Sequence, residues 1–443
     1  MISTRHGSGA RRALRPVSLV LITTATLAAA AACSSSSSTS SSASSSTASS
    51  PAASSSASGS ASADATTSAG TSTAGLAKFL PGKKATGTPV KVGLINNEGS
   101  SPVAEPSTGD AAVAAADYAN AELGGIAGHP IQVIRCAENE DVASATACAN
   151  EMVQDNVSVV DIGTTGLGGT MVPIITKAGI PYVSATGASP AELTTPGTFM
   201  WTGGFPADLA GMATEAHEHG YKKVTAFVID TPGALAGAQQ IGTPAFKAEG
   251  VTLTIESVPE AVADATPQVT AGVGDSPGAV AIVADASTCT SILQALSTVA
   301  PSTPVYANTS CLNSSTLTAL GNAMNGVKIF GRSDTESSDT EAALYRYVMA
   351  TYYPSANPSG DTVTGYQGML GLVRAMSSLT GAPTPASITA AIKAAKNIPL
   401  PAGAGLTFTC NGKSMAGLSS NCSAGDVVLT IENGKAIDPQ VLN

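Results

Sequence analysis

The sequence predicts an α/β protein with two doubly wound units, each built on a parallel sheet. From Pro89 onward, short apolar runs alternate with longer segments of helical periodicity, which is the pattern of βαβ units. The alternation runs to about residue 184, begins again at Ala207 and continues to Phe330. Each stretch has the size of an ordinary domain, so two sheets are expected rather than one.

The first unit begins with the apolar run VKVGLIN at 90–96. Such a short run indicates a buried strand. The segment that follows places Ala112, Ala116 and Ala119 on one helical face, and Gly124 and Gly125 end it. The remaining pattern predicts strands at 131–134, 157–162 and 181–184, and helices at 109–123, 142–153 and 171–178.

The second unit repeats this order, with AVAIV at 279–283 as its clearest strand. Its predicted strands lie at 224–229, 252–257, 279–283, 303–306 and 327–330, and its helices at 207–219, 234–249 and 291–299. Three helices then come in a row, at 340–352, 363–379 and 385–395, before a hairpin at 406–429 that two cysteines clamp. Late helices and a late hairpin indicate that the chain crosses between the units more than once.

The first 33 residues have the pattern of an export signal. Four arginines precede an apolar stretch that is too short for a membrane span, and small residues stand directly before Cys33. This order predicts lipobox cleavage and a lipid on Cys33. The alternative is an ordinary signal peptide, with Cys33 left as an unpaired thiol. Export through the general or the twin-arginine route stays open.

Residues 34–88 are predicted to be a disordered tether rich in Ser, Ala and Thr. A tract of this composition has too little apolar surface to bury a core. No later segment approaches about 18 uninterrupted apolar residues. The formal net charge of −10 makes the chain a poor nucleic-acid binder.

Seven cysteines are present, and setting Cys33 aside leaves an even number in an exported chain. This favours disulfides over metal ligands. Six cysteines allow several pairings, and proximity in sequence favours Cys136–Cys148, Cys289–Cys311 and Cys410–Cys422. Zinc is the alternative, but no C-x-x-C spacing occurs. We expect no metal site and no cofactor.

Several stretches resemble one family in order along the chain. AELGGIAGHPIQV at 121–133 is similar to a helix end, double-Gly turn and second strand, and GIPYVSATGASPAEL at 179–193 to a fourth strand and ligand loop. Residues 141–163 and 365–376 are similar to a further helix–strand pair and a late helix. These segments resemble the substrate-binding proteins of ABC transporters, of the leucine/isoleucine/valine-binding type.

This resemblance implies a type I periplasmic binding protein-like, Venus-flytrap fold: two doubly wound parallel-sheet lobes joined by a three-strand hinge. Lobe one would comprise 89–203 and 333–404, and lobe two 204–332 and 405–443, with crossings near Gly203, Arg332 and Gly405. It further implies a monomeric, extracytoplasmic lipoprotein on the cell membrane. Such a protein captures a small organic solute and presents it to an ABC permease.

Ligands of open parallel sheets bind beyond the carboxyl ends of the strands. In the first unit, the loops at 97–108, 163–170 and 185–189 lie there. Thr164 and Thr165 offer hydroxyls beside glycines, and free N–H groups at a helix start suit a carboxylate. By resemblance, Thr165 and the segment Gly187, Ala188 and Ser189 would grip the carboxylate of the ligand. The alternative is that these residues cap helices and form turns.

In the second unit, the family usually places an acid in the loop after one strand to hold an ammonium group. Thr288 stands at about that position here, with Asp285 three residues earlier. Either Asp285 takes the role or the ligand lacks an amine. Tyr366 is a candidate apolar wall of the site, and ordinary core packing is its alternative.

Three other functions are weighed against solute transport. A ligand-sensing lipoprotein of the same fold cannot be separated from a transport protein by sequence. A secreted hydrolase is the weaker alternative, because no G-x-S-x-G motif occurs and the acids show no distinctive pairing. Nucleotide binding is disfavoured, because GTTGLGGT at 163–170 lacks the G-x-G-x-x-G spacing. We therefore predict no enzyme activity.

Overall fold

A computed structural model describes residues 75–99, 104–355 and 361–442. The first sheet has the strand order β2-β1-β3-β4-β5, and every neighbouring pair is parallel. Its strands are β1 (Val90–Asn97), β2 (Ile131–Glu138), β3 (Val159–Ile162), β4 (Tyr182–Ser184) and β5 (Thr198–Met200). This order places β1 and β3 in the interior of the sheet, in agreement with their apolar sequences.

Helices cover both faces of this sheet: α1 (Pro106–Glu122), α2 (Val142–Gln154), α3 (Gly168–Lys177) and α4 (Pro190–Thr194). Successive side chains of β1 point to opposite faces. Val92 and Leu94 belong to the core cluster that contains α1, whereas Ile95 belongs to the cluster that contains Met152 of α2. A sheet buried on both faces explains why β1 is a continuous apolar run.

The second sheet has the order β14-β13-β10-β9-β8-β6-β7. Five strands are parallel: β6 (Lys223–Ile229), β7 (Thr252–Val258), β8 (Ala279–Val283), β9 (Val305–Asn308) and β10 (Lys328–Gly331). The last two, β13 (Asp426–Glu432) and β14 (Lys435–Leu442), form an antiparallel hairpin at one edge. The predicted parallel α/β architecture is therefore confirmed, with an antiparallel extension.

The helices of this unit are α5 (Gly204–Glu218), α6 (Pro232–Gly237), α7 (Thr243–Ala248), α8 (Thr266–Val273), α9 (Ala286–Val299) and α10 (Ser314–Leu320). A π-helical turn at Ala238–Gly242 separates α6 from α7. The sequence predicts one uninterrupted helix there, and apolar periodicity does not distinguish the two geometries.

The late helices α11 (Thr340–Tyr352), α12 (Thr362–Ala375) and α13 (Pro385–Ala394) follow the second sheet in sequence. The second of them returns to the first unit, where it packs against α1, β3 and β4. Gly365 permits this close approach, because a Cβ atom there would overlap the carbonyl oxygen of Thr108. The chain thus leaves the first unit after β5 and comes back to it after β10.

The hairpin predicted at 406–429 is wrong. The short strand β11 (Ile398–Pro399) pairs with β12 (Thr407–Phe408), and the second hairpin is β13–β14. Between them the chain runs beside β5, where Met200 donates its N–H to Ser420 at 2.9 Å and accepts from Cys422 at 2.8 Å. Short alternating runs predict strands but do not identify their partners.

All three predicted disulfides are confirmed. Cys136–Cys148, Cys289–Cys311 and Cys410–Cys422 are bonded, with Cα–Cα distances of 5.6, 5.4 and 4.3 Å. The first joins β2 to α2, and the second joins α9 to the turn after β9. The bonded cysteines are only 12, 22 and 12 residues apart, which is why proximity in sequence was sufficient to choose the pairing.

The predicted tether extends too far toward the folded region. Leu76 is buried in the core cluster of the first unit. Lys83 and Ala85 donate their N–H groups to Glu122 and Asn120 at 2.9 and 2.8 Å. Residues 76–88 are therefore attached to α1. The export signal, Cys33 and the rest of the predicted tether lie outside the described residues.

Candidate ligand-binding site

A cavity of about 180 Å³ lies where the carboxyl ends of strands from both sheets face one another. Loops that follow β3 and β4 form one wall, and the turn after β9 together with the start of α5 forms the opposite wall. Its lining residues are Ile162, Gly163, Thr164, Thr165, Thr186, Gly187, Ala188, Glu192, Phe205, Asp208, Asn308, Thr309, Ser310, Arg332 and Asp361. Four of the sequence-predicted contacts are in this set: Thr164, Thr165, Gly187 and Ala188.

Two buried side chains, Asn96 and Glu138, form hydrogen bonds with the loop after β3. Asn96 accepts the N–H of Thr164 on its Oδ1 at 2.8 Å. Thr165 donates its hydroxyl to Oε1 of Glu138 at 2.8 Å and accepts the N–H of Leu167 at 2.9 Å. The hydroxyl of Thr165 is thus engaged within the protein, whereas its backbone N–H donates to no group among the described residues.

The loop after β4 is organised by Glu192 of α4. Oε2 of Glu192 accepts the N–H groups of Ala188 and Ser189 at 3.2 and 2.9 Å, and the hydroxyl of Ser189 at 2.8 Å. Ser189 and Glu192 form a capping box. Ser189 therefore caps α4 and does not line the cavity. The backbone N–H of Gly187, in contrast, has no acceptor among the described residues.

The wall from the second sheet contains residues that the sequence analysis missed. Asn308 donates from Nδ2 to the carbonyl of Ala284 at 3.1 Å and to Oγ of Ser310 at 3.1 Å. Ser310 donates its hydroxyl to Oδ2 of Asp361 at 2.6 Å. Asn308 ends β9 and Ser310 follows it, and this position at the end of a buried strand was the only signal that could have identified them.

Arg332 was predicted only as the position of a crossing, but the structure places it in the cavity lining. Its Nη2 donates to Oγ1 of Thr364 at 2.9 Å and to Oδ1 of Asp361 at 3.4 Å. Its Nε is buried and has no hydrogen-bond partner among the described residues. A charged donor is therefore left unsatisfied at the cleft.

Three of the carboxyl groups around Arg332 have raised pKa values. Burial, followed by repulsion from Asp361, raises the pKa of Glu105 to about 8. Burial also raises the pKa of Asp208 to about 7, against the opposing effect of Arg332. Asp426 lies next to Asp208, and its pKa is raised well above the usual value by burial and by Asp208. Burial thus shifts these three carboxyl groups toward their protonated forms.

Three other predicted contacts lie away from the cavity. Asp285 caps α9, where it accepts the N–H groups of Ser287 and Thr288 at 2.8 and 3.1 Å. Thr288 is buried and donates its hydroxyl to Asp285 at 2.7 Å. Tyr366 is fully buried and packs edge-on against Tyr345, with ring centroids 5.1 Å apart. In this geometry Asp285 and Thr288 belong to the N-terminal cap of α9, and Tyr366 belongs to the core.

Two buried amides tie together the segments that connect the sheets. Gln367 donates from Nε2 to the carbonyls of Arg332 and Pro401 at 3.0 and 2.9 Å. Asn421 donates from Nδ2 to the carbonyls of Thr202 and Gly203 at 3.2 and 3.0 Å. The connecting segments thus lie side by side at the base of the cleft.

None of the helices within the described parts of the chain combines the length and apolarity that a membrane crossing requires.

No curated protein matches the sequence. Among solved structures, the chain is similar to a possible leucine/isoleucine/valine-binding protein from Rhodopirellula baltica SH 1, with 18% identity, a TM-score of 0.66, and coverage of 80% of this chain and 96% of that one.

Two further structures are similar. The leucine-binding protein LivK from Thermotoga maritima MSB8 has 17% identity and a TM-score of 0.65, over 80% of this chain and 99% of that one. The substrate-binding protein LivJ from Streptococcus pneumoniae, in complex with isoleucine, has 19% identity and a TM-score of 0.63, over 80% and 99%. At these identities the likeness shows the fold, and it confirms the predicted type I periplasmic binding protein-like fold. A family model described as periplasmic binding protein matches residues 89–418, which is most of the chain. The chain therefore belongs to the periplasmic binding protein family.

Proposed function

We propose that this chain is an extracytoplasmic solute-binding lipoprotein of an ABC importer. It captures a small organic solute, an amino acid or a related carboxylate or amide, and delivers it to a membrane permease. The observation that carries the proposal is the cavity between the carboxyl ends of two parallel sheets, lined from both sides. Its volume of about 180 Å³ is below the roughly 300–1,000 Å³ of pockets for drug-sized ligands, which favours a small solute.

The backbone N–H groups of Thr165 and Gly187 support recognition of a carboxylate. Both residues line the cavity, and neither N–H has an acceptor among the described residues. Hydrogen bonds from N–H groups to an ionised oxygen are stronger than those between neutral groups. A ligand carboxylate at this wall would therefore satisfy two donors that the protein leaves open.

Capture requires the two lobes to move relative to each other. We take lobe one to contain the first sheet with the late helices, and lobe two to contain the second sheet. The crossings are then near Gly203, near Arg332 and between Phe408 and Asp426. The third lies later than the position near Gly405 given by the sequence, because Thr407 and Phe408 still pair with Pro399 and Ile398. A solute that contacts both walls favours the closed arrangement to the extent that it binds that arrangement better. Gln367 and Asn421 keep the crossings together during this motion.

The remaining parts of the proposal rest on the family and on the N-terminal sequence. Family membership supports an extracytoplasmic location. Anchoring through Cys33 is tested by Cys33→Ser, which we expect to release the protein into the medium without changing solute affinity. Mass spectrometry of the membrane-bound protein should show a lipid on Cys33. An unmodified Cys33 in the mature protein would contradict anchoring and leave solute binding intact.

Trp201 provides the readout for the central test. It is the only tryptophan of the chain, it is buried beside the first crossing, and its Nε1 donates to the carbonyl of Gly368 at 2.9 Å. Fluorescence and thermal-shift screens of amino acids, short carboxylates, amides and urea-like solutes should reveal at least one strong stabiliser. At 100 times its Kd, such a solute adds about 2.7 kcal/mol to the free energy of unfolding. No response across these classes would contradict the proposal.

A further inference from the structure

Arg332 is almost fully buried, with 8% of its surface exposed, yet its donors are incompletely used. Its contact with Asp361 is 3.4 Å, longer than the roughly 2.7–2.9 Å of a good charge-assisted bond. The other oxygen of Asp361 accepts the hydroxyl of Ser310. The guanidinium is thus only loosely paired, and Nε–H makes no hydrogen bond among the described residues.

A buried charged donor without an acceptor is costly, because desolvation is not repaid. Nε itself is enclosed by protein atoms, but Arg332 lines the cavity, and its Nη1, which makes no hydrogen bond among the described residues and is not one of the enclosed atoms, can donate to an oxygen of the solute. From this arrangement we infer that Arg332 is a specificity-determining residue that binds an oxygen-bearing group of the solute, distinct from the group held at Thr165 and Gly187. The inference rests on the proposed function and narrows its substrate class.

The rest of the lining agrees with a polar solute. Only Ile162, Ala188 and Phe205 contribute apolar side chains, and the other side chains carry hydroxyl, amide or charged groups. A branched aliphatic side chain packed against Arg332 and Asp208 would offer no partner to the side-chain atoms of these residues that lack one, which is unfavourable. The preferred solute is therefore a small dicarboxylate, or a carboxylate that carries a carboxamide, rather than leucine, isoleucine or valine.

Two acidic residues near Arg332 raise the alternative that the solute carries a cationic group. Asp208 and Asp361 also line the cavity and would attract a cationic group. Asp361 is already bonded to Ser310 and Arg332, and Asp208 lies against Asp426, so we favour an acceptor oxygen at Arg332. Preferential binding of a cationic solute, such as a diamine or lysine, is the outcome that would overturn this choice.

The first experiment changes the solute and leaves the full-length protein unaltered. Affinities are measured by calorimetry for matched pairs that differ only in the second polar end: glutarate against valerate, and glutamine against norvaline. We expect the member with the second oxygen group to bind about 10- to 100-fold more tightly. Equal affinities within the pairs would overturn the inference while leaving solute binding in place.

The second experiment changes Arg332. Arg332→Gln should abolish the difference within each pair, and Arg332→Lys should retain part of it, because a charge remains but the planar donor set is lost. Arg135→Gln is the matched control, since Arg135 pairs with Glu98 and Asp110 away from the cavity. Circular dichroism checks folding of each variant. A preserved difference in folded Arg332→Gln would overturn the role of Arg332. Failure of every solute to bind the wild-type protein would overturn the proposed function, and the inference with it.

Discussion

Ser310 donates its hydroxyl to Oδ2 of Asp361 at 2.6 Å, and this bond connects the two walls of the cleft. Ser310 follows β9 of the second sheet, whereas Asp361 directly precedes α12, which packs against α1 of the first unit. The bond therefore holds the two lobes together without a solute.

Removing this bond should favour an open arrangement. For Ser310→Ala we expect a larger radius of gyration by small-angle scattering without solute, because a hydrogen bond to a charged group contributes about 1.5–3 kcal/mol. Ser297→Ala, on the exposed side of α9, is the matched control. Identical scattering profiles for the two variants would show that the bond does not hold the lobes together.

The hydroxyl of Thr165 should matter for stability more than for direct contact with the solute. Thr165→Val leaves the buried Glu138 without that donor and Leu167 without its acceptor. We expect the free energy of unfolding to fall by about 1–3 kcal/mol, measured by urea denaturation. Thr165→Ser keeps both bonds and should remain within about 0.5 kcal/mol of the wild type. Unchanged stability of Thr165→Val would contradict the contact with Glu138.

Asp161 should make the stability of the protein depend on pH. It is fully buried in β3, and burial raises its pKa well above the usual 3.8. The folded state therefore keeps a proton that the unfolded state loses above pH 3.8. As the pH rises above 3.8, the free energy of unfolding falls by up to about 1.4 kcal/mol per pH unit.

Asp161→Asn removes this proton. Between pH 5 and pH 8, the free energy of unfolding of the variant should rise steadily relative to that of the wild type, whichever of the two proteins is more stable at pH 5. Because the variant and the wild type are compared at the same pH, the contributions of Glu105 and Asp208 to the pH dependence of stability cancel. Urea midpoints whose difference stays constant over this range would contradict a protonated Asp161.

The Cys289–Cys311 bond closes the longest of the three disulfide loops, with a sequence separation of 22. Replacing both cysteines with alanine should lower the free energy of unfolding by about 2–4 kcal/mol. The Cys410–Cys422 double variant, with a separation of 12, should lose slightly less. Peptide mass mapping under non-reducing conditions should show the three local pairs, and a long-range pair would contradict the fold.

Part of the candidate site could be predicted from the sequence because it follows buried strands. Thr164, Thr165, Gly187 and Ala188 come directly after β3 and β4, and parallel strands bring their carboxyl ends to one edge of the sheet. Asp285 also follows a strand, β8. There the side chain satisfies the first N–H groups of α9, and the sequence does not show whether an acid caps its own helix or faces a ligand.

The sequence by itself determined the alternation of strands and helices, the two-unit architecture and the disulfide pairing. Each of these depends on contacts between neighbouring segments, so local periodicity and spacing were sufficient. Only the tertiary structure decided that Arg332, Asp361 and Ser310 meet in one cavity, although 29 and 51 residues separate Asp361 from the other two. Their meeting depends on the return of α12 to the first unit, which is set by packing against α1 rather than by any local pattern.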